Sequence, residues 1–167
     1  QDYAEYEIVV VDDGSRDETV NIVRRMRAEH GKIRLFERAE GGSKKAALSL
    51  AIAEARGEIL LMTDADCLVG PGWVRGMVAH FSADVGFVIG FSQIGDPGQE
   101  LGWRGSYEAI DFLNLMACIW GSVGRGHAMA ASGQNLAYRR RAYDEVGGFS
   151  RVLHRASGDD VLLMQMV

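Results

Sequence analysis

Val9-Val10-Val11-Asp12-Asp13-Gly14-Ser15 is an apolar, β-branched run that ends in two carboxylates, and Ile59-Leu60-Leu61-Met62-Thr63-Asp64-Ala65-Asp66 repeats the pattern later in the chain. A strand buried on both faces of a parallel sheet reads this way, and the acids then fall at its carboxyl edge. That edge is where open α/β sheets bind ligands. Asp64 and Asp66 are two residues apart, so on a strictly extended segment they face the same way. They could then share a cation, or hold a cation and a sugar hydroxyl. The pairing points to a divalent metal and a phosphorylated ligand.

Asp, Gly and Ser after a strand are also ordinary turn and helix-cap residues. Ser15-Arg16-Asp17-Glu18 fits a capping box, with Ser15 as N-cap and Glu18 three positions into the helix. Capping accounts for Ser15 and leaves Asp12 and Asp13 unexplained. Adjacent carboxylates repel, and a strand end tolerates the pair when solvent, a cation or hydrogen-bond donors relieve it.

The chain has 167 residues, enough for one domain with a substantial core, and its 47% hydrophobic and 25% charged content is that of a globular protein. Eighteen basic residues against 23 acidic give a net charge of -5, which argues against a broad nucleic-acid surface. An anionic nucleotide would need a metal or a local basic group. Cys67 and Cys118 have no zinc-site spacing and cannot form a disulfide framework, so a reducing compartment is expected. Cys67 reads as a small packed residue rather than a nucleophile. No signal peptide opens the chain and no apolar run reaches the roughly 18 residues of a membrane span, so the expected polypeptide is soluble and cytoplasmic.

Strands are expected at residues 7–11, 33–36, 59–63, 85–91 and 136–138, and helices at 17–29, 44–56, 73–81, 101–120, 140–146 and 159–167. In the long helix Tyr107, Ile110, Leu113 and Ala117 line one face. Trp73 reads as core. Residues 121–133 read as loop plus a short strand, in which His127 is a weak metal-ligand candidate. Arg139-Arg140-Arg141 reads as a solvated basic face. Strands alternating with helices, without repeats or linkers, predict an α/β domain with a mostly parallel sheet covered on both faces.

The order of motifs resembles an inverting family 2 glycosyltransferase with the Rossmann-like GT-A fold. The resembling residues are Val10 to Ser15, Gly42-Ser43-Lys44-Lys45-Ala46-Ala47-Leu48, Thr63-Asp64-Ala65-Asp66, Gly133 to Arg139, Gly147-Gly148-Phe149, and Ser157-Gly158-Asp159-Asp160. Together they span nearly the whole chain. The resemblance implies that Asp12 and Asp13 hold the base and ribose of a nucleotide-diphosphate sugar, with Lys45 near its phosphates. Asp64 would sit by the ribose, and Asp66 would ligate Mg²⁺ or Mn²⁺ bridging the diphosphate. Asp160 would be the general base, and Gly133, Gln134 and Asn135 would lie by a saccharide or lipid-linked acceptor. A cation would neutralise the departing diphosphate, and a carboxylate would take the acceptor hydroxyl's proton.

Three departures accompany the resemblance. The family's first strand and helix precede the Asp12 motif, and here only Gln1-Asp2-Tyr3 stands there, so the chain is expected to be a truncated catalytic domain. Asp159-Asp160 replaces the commoner Glu-Asp. The family's Gln-x-x-Arg-Trp acceptor motif is not present, nor are the membrane helices that flank the domain in many members, where a full-length parent would work at the cytoplasmic face of a membrane in polysaccharide or glycolipid synthesis. The rival readings are a phospho-accepting receiver domain, which also ends a strand in Asp-Asp, and a nucleotidyltransferase on a similar sheet.

Overall fold

The computed structural model describes residues 1–39, 42–96, 98, 100–151 and 159–167. Five strands alternate with six helices in the order β1 (Ile8–Asp12), α1 (Thr19–Glu29), β2 (Ile33–Glu37), α2 (Lys44–Glu54), β3 (Ile59–Met62), α3 (Trp73–Val78), β4 (Phe87–Ile89), α4 (Trp103–Val123), β5 (Leu136–Arg139), α5 (Arg140–Glu145) and α6 (Asp159–Met164). A 3₁₀ turn, Gly148–Arg151, follows α5. The elements expected from hydrophobic periodicity are present, with ends shifted by a few residues. The short strand expected within residues 121–133 is absent, because α4 continues to Val123 and no strand forms before Leu136.

The strands form two sheets. β1 and β2 pair in parallel, Ile8 opposite Ile33 through Asp12 opposite Glu37. β5 lies between β3 and β4 and is antiparallel to both. The α/β fold is the expected one, with parallel pairing confined to β1–β2. Periodicity marks a strand but not its direction, which the long α4 excursion before β5 reverses. No described strand joins the two sheets. Between Ile8–Val9 of β1 and Ile59–Met62 of β3 lies a cavity of about 540 Å³, also walled by Leu48 and Trp73.

The core of the larger sheet gathers Ile52, Leu60, Leu136, Tyr138, Phe149 and Leu163, with Leu136, Tyr138 and Leu163 almost fully buried. Tyr138 stacks between Phe87 and Tyr143, ring centroids 5.8 and 5.7 Å away, and Tyr143 meets Phe149 edge-on. Gly148 adopts φ +56°, and a Cβ there would press 2.6 Å from the Tyr143 ring. The glycine lets the chain turn closely over this stack.

The arginine run is not a solvated face. Arg140 donates to the carbonyls of Ile52 (2.9 Å), Ala55 (2.7 Å) and Gly57 (3.1 Å), satisfying orphan acceptors at the C-terminal end of α2. Arg139 pairs with Glu58 at 2.6 Å and donates to the Val85 and Ser82 carbonyls. Only Arg141 behaves as expected, exposed and paired with Glu145. Arginine carries five donors on a planar fork, so it can close several loose backbone ends at once.

The face of α4 expected to pack does not. Met116 and Ile119 are the buried residues of that helix, whereas Tyr107, Ile110 and Leu113 are exposed. Helical spacing shows that a stripe exists; which neighbour covers it is a tertiary matter.

Candidate nucleotide and metal site

The register of the larger sheet brings several loops to one edge. Met62 of β3 and Ile89 of β4 both pair with Leu136 of β5. The carboxyl ends of β3 and β4 and the entry to β5 therefore coincide. Asp64 and Asp66 leave the end of β3, Phe91 leaves the end of β4, and Gly133-Gln134-Asn135 leads into β5. Strand ends meeting in this way form a ligand edge.

The two aspartate clusters differ in what holds them. Asp12 is buried, and its Oδ2 accepts from the backbone N–H groups of Gly14 (3.1 Å) and Ser15 (3.0 Å). The Ser15 hydroxyl donates to it as well, and these bonds hold its carboxyl below the usual aspartate range. Asp13 accepts from the N–H of Gly42 (2.8 Å) and Ser43 (2.9 Å) through one oxygen, while its other oxygen pairs with the Arg38 guanidinium. Gly42 N–H first, then Ser43 N–H and Arg38, lower its pKa. Gly42 reaches it with φ +113°, a backbone region that favours glycine. Donors thus relieve the repulsion between the adjacent acids.

The capping box does not form, because α1 starts at Thr19, four residues beyond Ser15. Glu18 makes no side-chain cap, and Asp17 accepts from Thr19 N–H at 3.0 Å. Ser15 instead belongs to the turn held by Asp12.

Asp13 fixes the entry to α2, and α2 in turn reaches the second cluster. Ser43 caps the helix, its Oγ accepting from Ala46 N–H at 3.3 Å. Next to it, Lys44 extends to Asp64, Nζ to Oδ1 3.1 Å. Lys45, the residue singled out from the sequence, is buried, and the ammonium of its neighbour Lys44 stands at Asp64. Both are lysines in one motif, and helical phase alone decides which faces the edge. Lys44, Asp64 and Gly133 line a small cavity of about 30 Å³ over Tyr138 and Leu163.

Asp64 and Asp66 are not on an extended segment. β3 ends at Met62, and residues 64–67 form a turn closed by Cys67 N–H donating to the Asp64 carbonyl at 3.2 Å. Asp66 is exposed, and the Cys67 thiol lies 3.8 Å from its Oδ1. Among the described residues no three of His, Cys, Asp and Glu gather as a metal cage, and His127 is exposed. Two hard carboxylate ligands are what Mg²⁺-type sites take when phosphates supply the rest of the shell. The residues present fit such a cation.

Asn135 is tied into the scaffold. Its Oδ1 accepts from Trp73 Nε1 at 2.9 Å, its Nδ2 donates to the Phe91 carbonyl at 2.8 Å, and its own carbonyl accepts from Gly90 N–H at 2.8 Å. A Cβ on Gly90 would collide with the Asn135 side chain. Trp73 is therefore half-buried, with its indole N–H satisfied, rather than wholly core. Gln134 is half-buried beside it. Asp160 lies in the first turn of α6, and its side chain, like Ser157 and Gly158, is outside the described residues.

A strand-end acid pair, a lysine and a capped helix start meet at one sheet edge, the place where open α/β sheets bind ligands. A mannosyltransferase from Pyrobaculum calidifontis, solved in complex with GDP-Man and Mn²⁺, superimposes with a TM-score of 0.68 at 27% identity, over 96% of this chain and 42% of that one. The chain belongs to glycosyl transferase family 2, whose model matches residues 1–147. Among curated relatives, the beta-monoglucosyldiacylglycerol synthase of Synechocystis sp. is 28% identical over 151 residues, 87% of this chain and 30% of that protein. Glycosyltransferase AglE of Haloferax volcanii is 28% identical over 95% of this chain and 49% of its own length. A dolichyl-phosphate beta-glucosyltransferase of Trichomonas vaginalis is 43% identical over 61 residues, 36% of this chain and 18% of that protein. The chain thus spans less than half the length of these relatives.

Proposed function

We infer that this domain, within its whole protein, transfers a sugar from a nucleotide-diphosphate donor to an acceptor hydroxyl with inversion at the anomeric carbon. The observation that carries this reading is the convergence of both aspartate clusters on the start of α2: Asp13 holds Gly42 and Ser43, and the adjoining Lys44 meets Asp64. A helix N-terminus and a lysine beside two acids suit a diphosphate bridged to a cation. The relative solved with GDP-Man and Mn²⁺ supports the same chemistry.

Asp64 and Asp66 would hold the Mg²⁺ or Mn²⁺. A bound divalent cation supplies positive charge against the charge of the departing diphosphate. Lys44 would exchange Asp64 for phosphate oxygens, and the buried Lys45 would support the same helix start. Asp12 and Asp13 would shape the base and ribose pocket through the loops that they hold. The acceptor oxygen would bond to the anomeric carbon as the bond to the diphosphate breaks, and Asp160 would take the hydroxyl proton. Gly133, Gln134 and Asn135 would flank the acceptor, with Asn135 fixing the loop.

The names of relatives that act on dolichyl phosphate or make a glucosyldiacylglycerol support a lipid-linked acceptor, and with it glycolipid or cell-surface polysaccharide synthesis at a membrane. Calorimetric titration of GDP, UDP and other nucleoside diphosphates, each with Mn²⁺, Mg²⁺ or EDTA, tests the donor side. Binding that depends on the cation is expected. Equal binding in EDTA would reject the role given to Asp64 and Asp66.

A further inference from the structure

Arg38 is a charged group beside the first cluster to which the proposed reaction gives no task. It follows β2, and its N–H donates to the Asp12 carbonyl at 2.9 Å. That bond places it at the carboxyl end of the β1–β2 pair, next to Asp13. Its guanidinium pairs through Nη1 with the Asp13 carboxylate, and the same nitrogen lies 3.4 Å from the Ser43 carbonyl oxygen. Among the described residues Nε and Nη2 meet no acceptor, and neither is sealed from solvent. The side chain is 23% exposed. A planar fork pinned at one nitrogen is preorganised, so little freedom is lost when its other donors take a ligand.

Charge and position select that ligand. Asp13 offsets the guanidinium charge, so the pair offers hydrogen-bond donors with little net charge, which suits a neutral ring more than a phosphate. Phosphates have a better place at Lys44, whose Nζ stands 3.1 Å from Asp64 across the cavity from β1. From Lys44 the chain leads back through Ser43 to Arg38. The guanidinium therefore stands about one lysine length and one residue from the acids, the scale that separates a diphosphate from its base. Uracil and guanine present a keto oxygen, O4 or O6, where cytosine and adenine present an amino group. Arginine carries donors only, so it matches the first two bases and opposes a donor with a donor in the others.

We propose that Arg38 reads the base of the donor nucleotide, donating from Nε or Nη2 to the keto oxygen of uracil or guanine. The domain then takes UDP- or GDP-sugars in preference to CDP- or ADP-sugars. Asp13 holds the fork in place, and the start of α2 sets its distance from the phosphates. This inference rests on the nucleotide-sugar reading above and narrows its donor class.

Calorimetry of UDP, CDP, GDP and ADP with Mn²⁺ tests it, since each keto base is compared with the amino base of the same ring size. UDP over CDP, or GDP over ADP, is expected to bind tighter by roughly ten- to a hundredfold, within whichever ring size the pocket admits. Arg38→Met should bring that ratio close to one, chiefly by weakening the keto nucleotide, and Arg38→Lys should keep part of it because an ammonium also donates. Equal binding of keto and amino nucleotides by the wild-type chain would overturn the proposal. So would a ratio that survives in Arg38→Met, since an equal loss for all nucleotides marks a residue that only supports Asp13. Cation-dependent binding without discrimination removes this inference alone; no cation-dependent binding of any of the four removes the transferase reading with it.

Discussion

The two strand-end acid clusters look alike in sequence and are used differently. Asp12 and Asp13 are consumed by their surroundings, accepting from Gly14, Ser15, Gly42, Ser43 and Arg38. Asp64 and Asp66 sit in a turn at the sheet edge, one facing a lysine and the other open to solvent. The first pair already accepts from several donors, whereas the charge of Asp64 is met by the exposed Lys44, a partner that a cation or a ligand would compete for. The first cluster positions the loop that positions the second.

Breaking the comparison at the chemical step should give the largest effect. In the whole enzyme, Asp160→Asn is expected to slow transfer by roughly two to four orders of magnitude, the usual share of a general base, while nucleotide affinity stays normal. Measuring both on one variant checks this, and near-normal transfer would assign the proton to another acid.

The second cluster comes next. Asp66→Asn should weaken Mn²⁺-dependent nucleoside diphosphate binding by roughly a hundredfold in calorimetry, since one of the two carboxylates proposed to hold the cation is lost. Its melting temperature should hold, because the side chain is exposed. Lys44→Met should act on the same binding with a smaller loss, about tenfold, the order of a charge-assisted contact to phosphate. Unfolding of Asp66→Asn would make the clusters alike and erase the distinction.

Asp13→Asn reverses that pattern. Its melting temperature should fall, because Arg38 loses its ion pair and one oxygen no longer carries charge toward the Gly42–Ser43 turn. Any loss of nucleotide affinity should follow the loss of stability.

The smallest effect is in pH. Asp12 and Asp13 titrate below the ordinary range in the folded chain, Asp12 through the Ser15 hydroxyl and Asp13 through the Gly42 N–H. The stability that they contribute is therefore fully present above the unfolded aspartate value of about 4. It is lost as the pH falls through their folded values. Thermal melts at falling pH should show this loss in the wild type and less of it in Asp13→Asn.

Much of the domain is readable from residue order. The two apolar runs that end in aspartates mark β1 and β3, because each is decided by neighbours a few positions away. Three readings fail. Ser15 fits a cap, Arg139-Arg140-Arg141 fits a solvated face, and Tyr107, Ile110 and Leu113 fit a packed stripe. For Arg140 the partner is the end of α2, far away in the chain, and for the α4 stripe no described element supplies one; Ser15 instead meets Asp12, three residues before it, and α1 starts only at Thr19. A motif likewise names two lysines, and only packing selects Lys44 to face Asp64.

The sequence by itself determined that acids stand at strand ends and that the chain carries the family's motifs in order, since strand, turn and helix starts follow from short-range chemistry. The tertiary structure decided which acids are spent on their own backbone and which remain at the edge. It also made β5 antiparallel between β3 and β4, which brings Asp64, Phe91 and Asn135 to one edge. Those outcomes depend on contacts between residues far apart in the chain, and local patterning holds no record of them.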